Sequence, residues 1–209
     1  ANSNTINSGG CMNVSSGTAN STTVKAGGTI NGFTLQTDNF YSEGIHISNA
    51  IVTGSANLYS GQTANSNTIN SGGYMNVDGT ANSTIVNDGG SMTVAYGTAN
   101  STTINSGGHI HVYSSGSATN TTVNDGGHMI VAYGTAISTT ICSNGGMTLN
   151  GNYDGIYDKP FANAIATTVY AGGWMGVVSD GTANSTTINS GGSMTVYSRG
   201  SATNTTVND

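Results

Sequence analysis

The sequence predicts an all-β chain wound as a parallel β-solenoid, a right-handed β-helix of about ten coils of 17–19 residues. Three observations predict it. Gly-Gly pairs begin at Gly9, Gly27, Gly72, Gly89, Gly107, Gly126, Gly145, Gly172 and Gly191, and Gly54-Ser55 reads as a degenerate tenth copy with Ser55 in place of the second glycine. Each copy holds two short β-branched segments that alternate inward and outward. Only 6% of the 209 residues are charged, while glycine, asparagine, serine and threonine abound.

The elements follow in order within one copy. Thr103-Ile104-Asn105 alternates at period two, which turns Ile104 inward. Gly107-Gly108 permits positive φ and a tight corner. His109-Ile110-His111-Val112 then alternates again, with Ile110 and Val112 inward. Val24, Met12 and Val14 are the equivalents in one copy, and Val123, Met129 and Val131 in another. A Gly-Thr-Ala run such as Gly97-Thr98-Ala99 turns the chain once more, its alanine inward where space is small. One such unit cannot bury its own apolar face. Stacked copies share one thin core, and Asn20, Asn100 and Asn184 are placed to stack in ladders. A β-sandwich is the competing fold, disfavoured because near-identical repeats leave no variation for edges. The usual crossover rule gives the right hand, and the hexapeptide pattern of left-handed helices is missing.

Two intervals carry about nine extra residues each, near 32–50 and 150–163 in what otherwise reads as a single array over 1–209. They concentrate aromatic and acidic side chains in a chain poor in both: Asp38, Phe40, Tyr41 and Glu43 in the first, Tyr153, Asp154, Tyr157 and Asp158 in the second. Rings beside carboxylates suit glycan or protein contact. A loop that packs its own rings on the rod is the alternative.

Composition excludes several functions. Three Lys+Arg against nine Asp+Glu, a net charge of −6, provide no basic patch for nucleic acid. No apolar run reaches the roughly 18 residues of a membrane span. Ala1 opens mid-repeat, so a targeting segment is expected upstream, and Asp209 stops just before an expected Gly-Gly; the chain is read as an excerpt, or else as a unit that stacks end to end. Cys11 and Cys142 lie about seven coils, roughly 33 Å, apart and cannot bridge within a chain.

Catalysis finds little support. Asp88 and Asp125 precede Gly-Gly and read as turn residues, roughly 10 Å apart at two coils, which is loose for a glycosidase pair. His109, His111 and His128 fall on one outward patch and are weak candidates for a metal, at a site where other copies carry Ser, Tyr, Cys or Thr. No calcium nonapeptide, phosphate loop or cofactor motif is present.

The motif Ala-Asn-Ser-Thr-Thr-Ile/Val-Asn-Ser-Gly-Gly-x-Met-x-Val, at Ala99–Val112 and Ala183–Val196 and more loosely elsewhere, resembles the AIDA-type repeats of bacterial autotransporter passenger domains. The resemblance implies a β-helical stalk, extracellular on a bacterial surface, attached to the outer membrane or secreted. It implies adhesion or self-association with copies of itself, or with glycans or proteins of a host or neighbouring cell, side by side or end to end in filaments. It also implies O-linked heptose on outward hydroxyls, here Ser21, Ser101 and Ser185. No enzyme activity and no cofactor is expected. An ice-binding solenoid, which would use outward threonines such as Thr23, Thr103 and Thr187, and a glycan-binding solenoid remain as alternatives.

Overall fold

The computed structural model describes residues 4–7, 9–18, 22–24, 29–39, 46–151 and 161–209. Every paired strand is parallel to its neighbours one coil before and one coil after, and the regular part makes about eight turns rather than ten. Each regular coil has three strands, not two. Thr98–Asn100 lies on the first face, Thr103–Ile104 on the second and His109–Tyr113 on the third. The Thr-Ala-Asn run expected to be a turn is therefore a strand. Its alanine does point inward: Ala64, Ala81, Ala99, Ala118, Ala136, Ala164 and Ala183 are fully buried. An alanine column leaves room for Ile104, Ile110 and Val112, also fully buried, to fill the thin interior from the other two faces.

Three corners join the faces. Between the first and second, Ser83, Ser101, Asn120, Ser138 and Ser185 hold positive φ near 55°. Each of their amides donates to the next coil, as Ser101 N does to Thr119 O at 2.8 Å. That ladder holds a conformation that side-chain-bearing residues otherwise avoid. Between the second and third faces stands Gly-Gly. The first glycine takes positive φ, 69° at Gly126, while the second is needed for close approach. A Cβ on Gly127 would meet Ile104 O of the preceding coil at 2.8 Å.

Cross-coil register moves several copies relative to the glycine count. Asn144 carries the positive φ of 51°, so Gly145 is the second glycine of its corner and Gly146 enters the outward column of His128 and Trp174. Asparagine tolerates this region of φ, so the corner survives the shift. Ser55 does not replace a glycine either. It pairs with Tyr74, the residue after Gly-Gly, and Ile51–Leu58 runs through the corner as one strand. Met12 lies opposite Ile30, which in turn lies opposite Ile47 and so falls in the Ala64 column of the first face, not in the Met129 column of the third. Val14 and Val24 have no described side chains.

Two asparagine ladders run along the rod. Asn100 Nδ2 donates to Asn82 Oδ1 at 2.9 Å, and Asn82 to Asn65 at 2.9 Å. An unforeseen second ladder joins Asn124, Asn105, Asn87 and Asn70 at 2.8 to 2.9 Å and stops where Cys142 takes the next place. Thr119, Ile137 and Ile165 separate Asn184 from the Asn100 series, and on its other side Asn184 Oδ1 accepts from Asn204 Nδ2 at 3.1 Å. Asn20 lies outside the described residues. Neither Cys11 nor Cys142 is disulfide-bonded. No helix among the described residues is long and apolar enough to cross a membrane.

Candidate binding face

The third face carries most of the side-chain chemistry. Its strands are the longest of the regular coil, so they present two or three outward columns. One column reads Tyr74, Ser91, His109, His128, Gly146, Trp174 and Ser193. The next reads Asn76, Thr93, His111, Ile130, Thr148, Gly176 and Thr195. Inward Ile110 separates outward His109 and His111, as alternation requires.

Imidazole and indole rings line up along the first column. His109 and His128 meet edge to face at 6.3 Å between centroids, and His128 stacks on Trp174 at 5.4 Å with 29° between ring planes. Gly146 makes the second contact possible. A Cβ there would fall inside the indole ring, so only glycine lets Trp174 of the following coil lean back onto His128. The His128 Nε2 lies 3.5 Å from Thr148 Oγ1. Burial holds the His128 pKa below its ordinary value, with His109 and then His111 adding repulsion; burial and then His109 do the same to His111. Both shifts favour the neutral ring. Among the described residues, no three His, Cys, Asp or Glu side chains converge on a metal-sized site.

Two clefts flank this row. A cleft of about 250 Å³ lies among Thr93, His111, Tyr113, Ile130 and Ala132. Tyr113 packs edge-on against Tyr133 at 5.8 Å; Tyr133 is 1% exposed, whereas Tyr96 at the same corner position is 75% exposed. The other cleft, about 290 Å³, lies between Trp174 and Tyr197 over Gly176. A bidentate pair ties the neighbouring corners: Arg199 Nε donates to Asp180 Oδ1 at 3.0 Å and Nη2 donates to Oδ2.

The remaining candidates fall elsewhere. Ser101 and Ser185 are exposed on the corner between the first two faces, at φ 56° and 57°. Ser21, Phe40, Tyr41, Glu43, Tyr153, Asp154, Tyr157 and Asp158 lie outside the described residues. Asp38, expected in a loop, sits in a strand opposite Ala56. The second long interval lies between the strand that ends at Asn150 and the one that begins at Asn163, the corner where Ala132 and Thr135 are separated by two residues in the previous coil. Asp88 and Asp125 are exposed at the Gly-Gly corners, with Ser106 between them in the column. Thr103, Thr122 and Thr140 form one outward column on a two-residue strand. The first face alternates Thr98 with Asn100. A flat two-rank threonine array of the ice-binding kind is thus missing from the regular coils.

Sequence reading missed Trp174, Tyr197, Gly146 and Gly176. Counting from inward Met147 and Met175 instead of from Gly-Gly would have placed Gly146 over Trp174.

Comparison with known proteins agrees with this geometry. Residues 91–146 match a family model described as an adhesin of the bacterial autotransporter system, a probable stalk, named AIDA. Over residues 91–146 the repeat is of the AIDA type. In the crystal structure of a TibC-catalysed hyper-glycosylated TibA fragment, a chain 29% identical superposes with a TM-score of 0.69 over 98% of this chain and 82% of that one. The A-module of mannuronan C-5 epimerase AlgE4 from Azotobacter vinelandii shares the fold at 9% identity, with a TM-score of 0.59 over 98% of this chain and 80% of that one. No curated protein matches by sequence.

Proposed function

We propose that the chain is a rigid, non-catalytic stalk segment of a bacterial surface adhesin, acting outside the cell through its faces rather than through a reaction centre. The carrying observation is that an AIDA-type repeat stacks in register on all three faces while its outward surface stays polar and almost uncharged. Such faces can bond to a like face on a second copy, side by side, or to glycans and proteins on a neighbouring or host cell. Only 6% of the residues are charged, so such contacts rest on hydrogen bonds and packing rather than on ion pairs. The alanine column and the asparagine ladders stiffen the rod, which suits holding a binding site away from a membrane.

Display of the chain on a non-adherent bacterium tests this directly. Clumping or substrate attachment that follows expression supports the reading. Cells that stay dispersed and unattached at full display would sink it. Ser101 and Ser185, with Ser21, are the proposed sugar acceptors; at Ser101 and Ser185 the exposed left-handed corner presents the hydroxyl without disturbing a strand. Intact mass after coexpression with a heptosyltransferase, before and after Ser101→Ala and Ser185→Ala, checks it, and an unchanged mass refutes it. The segments around Phe40 and Tyr153 are proposed as further contact sites, and deletion of both should reduce attachment.

A further inference from the structure

We propose that the notch between Trp174 and Tyr197 is a binding site for a neutral carbohydrate. The two rings stand on consecutive coils on either side of Gly176, and Trp174 is 41% exposed although coils cover it on both sides. A Cβ at Gly176 would meet only the edges of these rings, at 3.8 and 3.9 Å, so the floor is open. The cavity is about 290 Å³, and hydroxyls of Thr148, Ser193 and Thr195 line it together with the rings. No ionisable side chain other than the Tyr197 phenol lines it.

This pattern matches the chemistry of a pyranose. Its axial C–H face is apolar and packs on an aromatic ring, while its equatorial hydroxyls exchange hydrogen bonds around the edge. A charged sugar would find no counter-ion. Two glycines serve the same ring: Gly146 lets Trp174 lean onto His128, and Gly176 clears the space beside it. The coils on either side of Gly176 carry Thr148 and Thr195 in its column, so its missing side chain is a local departure from the repeat. Stacking on His128 holds the indole in place before a ligand arrives, which lowers the ordering cost of binding. None of this depends on the stalk reading.

Trp174 is the one tryptophan of the chain, so its emission reports on this site. The 209-residue chain is titrated with cellotriose, maltotriose and mannotriose, and with tri-galacturonate as the acidic control. A saturable emission change with at least one neutral trisaccharide is expected. Gly176→Thr restores the residue of the flanking coils, so it folds, yet it fills the notch; it should weaken binding at least tenfold, as should Tyr197→Ala. Trp174→Ala should abolish the calorimetric signal. No saturable response to any neutral sugar, unchanged affinity in Gly176→Thr, or equal affinity for tri-galacturonate would each overturn the proposal.

Discussion

Thr121 should be better replaced by valine. Its side chain is fully buried and its Oγ1 has no hydrogen-bond partner; Thr102 below and Thr139 above share the condition. A buried hydroxyl without a partner costs about 1–3 kcal/mol. Valine has the same shape, and its methyl group brings no such cost. Thr121→Val should therefore stabilise the rod by about 1 kcal/mol or more. For a chain of this size that is roughly 2–4 °C in Tm. The triple substitution at Thr102, Thr121 and Thr139 should gain more, though less than three times as much, because neighbours in one column couple. Urea unfolding followed by circular dichroism measures it. The midpoint should rise at constant slope, since a changed slope in a repeat array signals partial unfolding instead. A lower midpoint at unchanged slope would show that the hydroxyl is bonded in the native state, and the reasoning would fail.

Three further outcomes follow from the same geometry. Gly126→Asn should cost little, because Asn144 already holds the same left-handed position; Gly127→Ala should cost more than about 1 kcal/mol, since its Cβ drives into Ile104 O, and thermal melts of the pair compare them. The folded pKa values of His111 and His128 lie below 6.5, so the unfolded chain binds more protons just below that pH. Stability should thus be full above pH 6.5, fall as pH drops through the folded values and level off below them. Replacing both histidines by asparagine should flatten that slope in chemical denaturation. Asn105→Ala removes two ladder bonds, to Asn87 and from Asn124, and should cost about 1–2 kcal/mol, whereas Asn124→Ala removes only the one to Asn105 and should cost about half of that.

The solenoid was legible because Ile104, Ile110 and Val112 alternate cleanly and Gly107-Gly108 marks each corner. The third strand was not. In Thr98-Ala99-Asn100 the inward residue is alanine, so the alternation has almost no hydrophobic contrast, and the run looks like a turn. The glycine count misplaced Gly145-Gly146 and Gly54-Ser55 for a different reason. A corner demands a backbone conformation, not a residue type, and Asn144 meets the demand as well as glycine does. The histidine patch was readable by counting coils. Its partner Trp174 was not, because the contact depends on a side chain that Gly146 lacks.

From Ala64 onward the irregular period has a single source; in the coil before it the second corner differs as well, Val52 to Ala56 spanning four residues where Ile69 to Met75 spans six. From inward Ala99 to Ile104 is five residues, and from Ala118 to Val123 is five again. From Ile104 to Ile110 is six, and from Val123 to Met129 is six. Only the return from the third face to the first varies: four residues from Val77 to Ala81, five from Val94 to Ala99, six from Val112 to Ala118 and fifteen from Leu149 to Ala164. The first two corners leave no freedom. One is held by the ladder through Ser83 and Ser101, the other by glycines wedged under the previous coil's carbonyl oxygens. In most coils the third corner closes by a turn with one or two left-handed residues, such as the exposed Tyr96 or Ser114-Ser115. Extra chain therefore costs least there, only the slow logarithmic penalty of a longer loop. That corner adjoins the face bearing His128, Trp174 and Tyr197, so the place where the coils from Ala64 onward accept extra chain is also beside their richest chemistry.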